Sequence, residues 1–270
     1  MRAIARNLVP LLWLGVTASW LMPAHVLAHS PFDGTWRLDT GASQPSTVHY
    51  DYLLQDGIYR CTTCDPPIEV RADGRDYKIT GDPCFDTVSV KVVNDRTTEE
   101  TEKKNGKIVK TLRMAVSIDG KTANDEWTES CNAKGDVVTG QAIMNRVAEA
   151  PRGAHAISGS WKESKWVSGS ENAVLITLKL EADTFSFADP TDQHYKAKLD
   201  GTETPFEGDL SGTVVSVKRT GENTIEETDR QDGKVVRVAR FTVSGDGKTL
   251  TISEENTPKG MTRQFVAHKR

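Results

Sequence analysis

The chain has 270 residues, 27% of them charged, with 38 Asp and Glu against 34 Lys and Arg. Such a mildly acidic, mixed-charge balance carries no electrostatic footprint for nucleic acid or an anionic membrane surface, so neither is an expected partner. At this length, 37% hydrophobic residues suffice for more than one core.

The first 28 residues read as a leader. Arg2 and Arg6 give a basic start, Leu8 to Leu27 is apolar and uncharged, and Val26-Leu27-Ala28 ends on a small residue as a signal-peptidase site does. The apolar run is also long enough for a membrane anchor. Pro10, Pro23 and the small-residue end favour cleavage after Ala28. No later stretch of sequence could span a bilayer as a helix. The expected location is the periplasm or the cell exterior, with His29 as the first mature residue.

Next comes an opener, Phe32-x-Gly34-x-Trp36-x-Leu38, and a second Gly-x-Trp follows at Gly159-Ser160-Trp161. Between and after them, residues 89–122 recur without a gap at 216–249, identical at half of the aligned positions. A repeat of this kind sets the organisation before any element is assigned. The expected division is a first domain over 29–147, a linker over 148–156 and a second domain over 157–270. The linker is small, polar and Pro/Gly-bearing, running Ala148-Glu149-Ala150-Pro151-Arg152-Gly153-Ala154.

Within each copy the sequence alternates and carries almost no helical period. Asn105-Gly106 and Asp232-Gly233 are two-residue hairpin turns in which both positions need φ > 0. Asp119-Gly120, Asp246-Gly247 and the earlier Asp73-Gly74 supply further turns. Counting from Asn105-Gly106 sets Lys104 opposite Lys107, Thr101 opposite Lys110 and Glu99 opposite Leu112. Counting from Asp119-Gly120 sets Val116 opposite Ala123, Met114 opposite Asp125 and Leu112 opposite Trp127. One face then carries Ile108, Leu112, Met114, Val116, Ala123 and Trp127. The second copy offers Val235, Ala239, Phe241, Val243, Leu250 and Ile252. Burial on one side only is the mark of an antiparallel sheet with a wet back. Thr97, Glu99, Thr101 and Lys110 share the inward register, as do Thr224, Glu226, Thr228 and Arg237. On the opposite face Glu100 lies diagonal to Arg113, and Glu227 to Arg240, as exposed ion pairs.

A one-sided meander must close on itself or pair with another sheet to hide its edges. The expected fold is therefore all-β, two tandem antiparallel up-and-down β-barrels after a signal peptide, with a sandwich as the rival. The opener Phe32-x-Gly34-x-Trp36-x-Leu38 resembles that of calycin barrels, the lipocalins and fatty-acid-binding proteins. Tyr77-x-x-x-Gly81-x-Pro83, Asp86-Thr87-Val88-Ser89, Asn105-Gly106-Lys107 and Asp119-Gly120-Lys121-Thr122 resemble a family of secreted bacterial lipocalin-like proteins. The resemblance covers most of 32–147 and is weaker over 157–267, where Ile157 replaces the opening Phe. It implies the fold and carries over no catalytic residues.

All four cysteines fall in the first copy: Cys61, Cys64, Cys84 and Cys131. In a meander, the loops near 61–66, 80–85, 104–106 and 132–135 gather at one mouth. An even count in an oxidising compartment reads first as two disulfides. The Asp73-Gly74 register puts Cys64 opposite Pro83, beside Cys84, and Cys61–Cys131 follows by elimination. A four-thiolate zinc site and a redox-active Cys61-Thr62-Thr63-Cys64 are the other readings.

The functional expectation is a secreted or periplasmic, non-catalytic binding protein for a small, partly apolar molecule. The candidate ligand-binding residues are Trp127, Leu112, Met114, Glu99 and Lys110 in the first copy, with Glu226, Arg237 and Phe241 in the second. Apolar walls with a few placed polar groups are what such sites need. No nucleophile–base–orienter set, Gly-rich phosphate loop or cofactor motif stands out. The alternatives are an envelope structural or protein-interaction module with filled barrels, and a cysteine-based redox or metal protein.

Overall fold

The computed structural model describes residues 30–270. The leader expected over 1–28, and His29, lie outside the described residues. The first eleven strands are β1 (Gly34–Leu38), β2 (His49–Gln55), β3 (Ile58–Cys61), β4 (Ile68–Arg71), β5 (Tyr77–Lys78), β6 (Thr87–Asn94), β7 (Thr97–Lys104), β8 (Lys107–Val116), β9 (Thr122–Glu129), β10 (Val138–Ala148) and β11 (Gly159–Gly169). A single helical turn, α1 (Glu171–Val174), leads into β12 (Leu175–Glu181), β13 (Thr184–Ala188), β14 (His194–Lys198), β15 (Thr204–Pro205), β16 (Val214–Gly221), β17 (Thr224–Gln231), β18 (Lys234–Val243), β19 (Thr249–Asn256) and β20 (Met261–Lys269).

The strands build two antiparallel ten-stranded sheets, each curled into a nearly closed barrel. The first barrel runs β4-β3-β2-β11-β10-β9-β8-β7-β6-β5 and the second β14-β13-β12-β1-β20-β19-β18-β17-β16-β15. Bridges at Asp73–Lys91 in one barrel and at Asp200–Lys218 and His194–Glu207 in the other draw the sheet ends together. Curling removes most of the exposed edge that a flat meander would present.

The pairing crosses the expected domain boundaries. Strand β1, the opener of the first copy, lies in the second barrel between β12 and β20. Strand β11, the opener of the second copy, lies in the first barrel between β2 and β10. The first barrel is thus the continuous segment 49–169, and the second is 175–269 completed by 34–38. The stretch 148–156, expected as a linker, instead turns β10 back onto its neighbour β11. The chain passes between barrels at 39–48 and at 170–174. Each Gly-x-Trp segment thus completes the barrel built mainly by the other copy, an exchange of equivalent elements.

Each barrel has its own core. Trp161, Ile157, Tyr52, Tyr59, Met114 and Val88 fill the first, and Trp36, Phe32, Phe185, Tyr195, Ile225 and Phe241 the second. The hairpins at Asn105-Gly106 and Asp232-Gly233 turn with positive φ at both residues, as the sequence predicts. The β8–β9 register also matches, with Val116 on Ala123, Met114 on Asp125 and Leu112 on Trp127.

The β7–β8 register differs by one residue. A bulge between Glu102 and Lys103 sets Lys103 against Ile108 but Glu102 against Lys110, leaving Val109 as the extra residue. The second copy repeats it between Asp229 and Arg230. The consequence is a swap of faces. Glu100 and Glu102 point inward, as do Glu227 and Asp229, each at most 9% exposed. Ile108, expected inward, is 58% exposed.

The cysteines are oxidised, with a different pairing from the expected one. Cys61 bonds Cys64 and Cys84 bonds Cys131, at Cα separations of 5.4 and 5.5 Å. The expected Cys64–Cys84 and Cys61–Cys131 bridges rested on a hairpin at Asp73-Gly74. There is none: β4 pairs only with β3, β5 pairs with β6, and Gly74 donates its N–H to the Val90 carbonyl. Two disulfides fit an oxidising compartment. Among the described residues, no helix is long and apolar enough to cross a membrane.

Candidate functional site in the first barrel

A cavity of about 540 Å³ opens at one end of the first barrel. Its aromatic wall comes from Tyr50 and Tyr52 on β2, Tyr59 on β3, Phe85, Trp127 on β9 and Trp166 on β11. Residues 43–45, from the crossing between barrels, and Arg263 and Phe265 on β20 complete the mouth. Trp166 meets Phe265 edge-on at 6.0 Å, so the second barrel contributes part of the first barrel's entrance. Cys64, Cys84 and Cys131 lie at the rim, where the two disulfides tie the loops together.

Trp127 takes its place through Gly140, its direct partner on β10. A Cβ at residue 140 would stand 2.6 Å from Trp127 Cε2, so only glycine lets the indole lie over the neighbouring strand. A backbone approached this closely by a ring is a common reason for glycine within a strand.

Charge is concentrated at the inner surface. Glu100 and Glu102 reach in from β7, Lys110 from β8, Asp125 and Glu129 from β9, and Glu163 from β11. Lys110 donates to Glu102 at 3.0 Å, and Arg263 approaches Glu163 at 3.5 Å. Asp125 is 8% exposed, and its Oδ1 has no hydrogen-bond partner. Trp166 Nε1, two strands along from Asp125 and level with it, and Arg263 Nε are also without one.

Burial in a weakly polar medium disfavours the charged form of each acid. Glu100 is pushed up to about 7, first by burial and then by Glu102; Lys110 and a hydrogen bond from Tyr59 offset part of this. Asp125 is also pushed up to about 7, first by burial and then by Glu163 and Glu100. Glu129 is raised chiefly by burial, against the pull of Lys110. For Lys110, burial lowers the value, but Glu102, Glu100 and Glu129 outweigh it and hold the ammonium above its ordinary range.

Of the residues expected to bind ligand, Trp127, Leu112 and Lys110 line this cavity. Met114, 4% exposed, sits beneath it with Leu112 and Tyr59. Glu99 does not reach it. The bulge turns it outward, 3.8 Å from Arg113. Glu226 is likewise outside, bonded to Arg240 at 2.8 Å.

The second barrel treats the equivalent region differently. Arg237 is inside, but Asp229 at 2.8 Å, Glu254 at 2.6 Å and Glu227 already hold it. Tyr195 donates its hydroxyl hydrogen to Glu227. Phe241 packs 5.7 Å from Phe185, within a cluster that also takes in Tyr195, Phe187 and Phe206. Here aromatic rings and an ion network pack the lumen, and neither Arg237 nor Phe241 lines the first barrel's cavity.

Sequence reasoning passed over Glu100, Glu102, Asp125 and Glu163. The signal was ambiguous, because the runs Glu99-Glu100-Thr101-Glu102 and Glu226-Glu227-Thr228-Asp229 carry carboxylates on both faces. No free cysteine remains among the described residues to form the thiolate metal site considered above. Comparison with protein-family models and with curated proteins finds no match for this chain.

Proposed function

We propose that the first barrel binds a small, partly apolar molecule in the periplasm or outside the cell. The observation that carries this reading is the 540 Å³ cavity, walled by aromatic rings and edged with a few polar groups. Binding pockets for small molecules have this size and make-up. The paired cysteines and the leader-like first 28 residues support the location. The second barrel, with its filled lumen, serves as a scaffold that supplies Arg263 and Phe265 to the mouth. The fold by itself argues for no particular chemistry, so the reading rests on the cavity alone.

Titration with the uncharged apolar dye N-phenyl-1-naphthylamine tests it. Saturable binding of one dye per chain is expected, weakened by Trp127→Ala and little changed by Phe241→Leu in the second barrel. Absence of saturable binding, or equal loss with both variants, overturns the assignment.

A further inference from the structure

We infer that the molecule held by the first barrel is a cation, an amine or similar group carried on an apolar body, with its charge seated against Asp125 and Glu100. This inference rests on the proposal that the cavity is a binding site, and adds the chemical class of the occupant.

The geometry supplies two independent reasons. The first is the state of Asp125, which lies on the cavity wall almost wholly out of solvent, with Oδ1 unbonded. A buried carboxylate oxygen without a donor is costly, and native structures leave few of them. A ligand ammonium offers up to three donors and the missing positive charge. The second reason is that the protein's own cations stand against other acids. Lys110 is bonded to Glu102, and Arg263 stands beside Glu163. Asp125 is left facing the cavity with no cation beside it, and Glu100 has the hydroxyl of Tyr59 and a Lys110 that it shares with Glu102. Around this acidic inner end, Tyr52, Tyr59 and Trp127 present ring faces and edges suited to a cation's apolar body.

The second barrel provides an internal comparison. It carries the same inward acids, Glu227 and Asp229, at the positions of Glu100 and Glu102. There the guanidinium of Arg237 spans both acids and reaches Glu254. In the first barrel Trp127 stands at the position of Glu254, and Lys110 at that of Arg237. The shorter reach of one ammonium leaves part of the acidic surface uncovered, and that part faces the cavity. A ligand cation would do in the first barrel what Arg237 does in the second.

The binding should depend on pH. Asp125 is faced by Glu100 from β7, Glu163 from β11, Tyr52 from β2 and Tyr59 from β3, with Arg263 of β20 beside Glu163. Both acids at the proposed seat hold their protons up to about pH 7. A cation binds their ionised forms, so its entry displaces protons, and its affinity rises from pH 5.5 to pH 8.

Three matched probes test the inference on the full-length mature protein: 4-phenylbutylamine, 4-phenylbutan-1-ol and 4-phenylbutyrate. They share one apolar body and differ in charge. Calorimetry at pH 8 should find the amine at least tenfold tighter than the alcohol and the acid weakest. Repeating the amine titration at pH 7 in buffers of different ionisation heat should show proton release. Asp125→Asn should remove the amine's preference, bringing the ratio of amine to alcohol affinity close to one. Circular dichroism would confirm that the variant is folded, and Glu100→Gln provides a second route to the same loss. If the alcohol binds as well as the amine, or if both variants keep the preference, the cation inference falls while the cavity remains a binding site. If none of the three binds and the apolar dye also fails, both readings fall together.

Discussion

Trp36 and Trp161 hold the same position in opposite barrels, each in the barrel formed mainly by the other's copy. Trp36 donates its indole N–H to the Phe32 carbonyl at 2.9 Å, and Trp161 donates to the Ile157 carbonyl at 2.7 Å. Both rings are fully buried. A cation directly opposite on the paired strand covers each: the Lys269 ammonium lies 4.8 Å from the Trp36 ring and the Arg146 guanidinium 4.1 Å from that of Trp161. Arg146 also donates to the carbonyls of Gly120, Ser158 and Ala156, closing the turn before β11. The repeat therefore gives two plugs of the same kind, and the chain uses them crosswise.

This exchange predicts a crossed mutational phenotype. Trp161→Ala should remove about 3–5 kcal/mol of stability, as truncating a fully packed aromatic does. It should also abolish dye binding in the first barrel, although residue 161 belongs to the second copy. Trp36→Ala should cost a similar amount and largely spare the cavity. In the same way a fragment spanning 46–170 should unfold cooperatively, since it contains the whole first sheet, whereas 29–149 lacks β11 and should melt lower. Chemical denaturation followed by circular dichroism, with dye binding alongside, checks both. A 29–149 fragment as stable as 46–170 would mean that β1 closes the first barrel equally well.

Gly140→Ala should disturb the cavity without touching any charged group. Its new methyl group would occupy the place of the Trp127 ring, which must swing away from β10. The expected cost is about 1–3 kcal/mol, the range for overpacking. Dye affinity should fall several-fold, and tryptophan emission should shift to the red as the indole becomes wetter. An unchanged spectrum and affinity would place the ring elsewhere.

The meander, the closure into barrels and the inward strip from Leu112 to Trp127 were legible in the sequence because period-two burial and the Asn-Gly and Asp-Gly turns leave local traces. The acids of the site were not. Glu99 and Glu100 are equally polar, and the bulge that decides which of them turns inward depends on Val109, a residue that suits a regular strand as well as a bulged one. Nor was the strand exchange legible. Gly34-Thr35-Trp36 and Gly159-Ser160-Trp161 are nearly the same segment, so either barrel could claim either opener. The cysteine pairing failed for a related reason: it needed Asp73-Gly74 to join adjacent strands, and that turn instead carries the chain across to β6.

Non-reducing peptide mapping should recover Cys61–Cys64 and Cys84–Cys131. The two bridges should matter unequally, because they close loops of 3 and 47 residues. On a chain-entropy argument, losing the longer one through Cys84→Ser with Cys131→Ser costs about 2–4 kcal/mol, and losing the shorter one costs less. Equal melting temperatures for the two double variants would contradict the argument.

Arg237 should be a stability residue. It is the shared counter-charge of Glu227, Asp229 and Glu254, the first two of which are almost fully buried. Arg237→Met leaves these acids uncompensated, and breaking a buried pair from one side costs about 3–5 kcal/mol. Adding Glu227→Gln to that variant should recover part of the loss. Dye binding by the first barrel should persist in any folded population of either variant. If Arg237→Met instead abolished binding while the melting temperature held, the second lumen would be the site.

The buried acids also set the direction of the pH dependence. Glu100, Asp125 and Glu227 are each pushed up to about 7 from ordinary values of 4.5, 3.8 and 4.5, in every case chiefly by burial. Between those limits the folded chain binds more protons than the unfolded chain, so stability falls as pH rises. The contribution is fully present below about pH 4 and is lost on passing through pH 7. The carboxylates with lowered values, such as Asp39 and Glu171, act only below their ordinary range and leave this window untouched. The denaturant midpoint should therefore drop between pH 5 and pH 8. Asp125→Asn and Glu100→Gln should each flatten that slope, gaining more stability over the parent at pH 8 than at pH 5. The cationic probe 4-phenylbutylamine should flatten it too, by stabilising the ionised acids at the upper end. A midpoint that climbs from pH 5 to pH 8, or variants whose slopes match the parent, would show that these carboxyl groups reach solvent and that the inward register of β7 is not the one described.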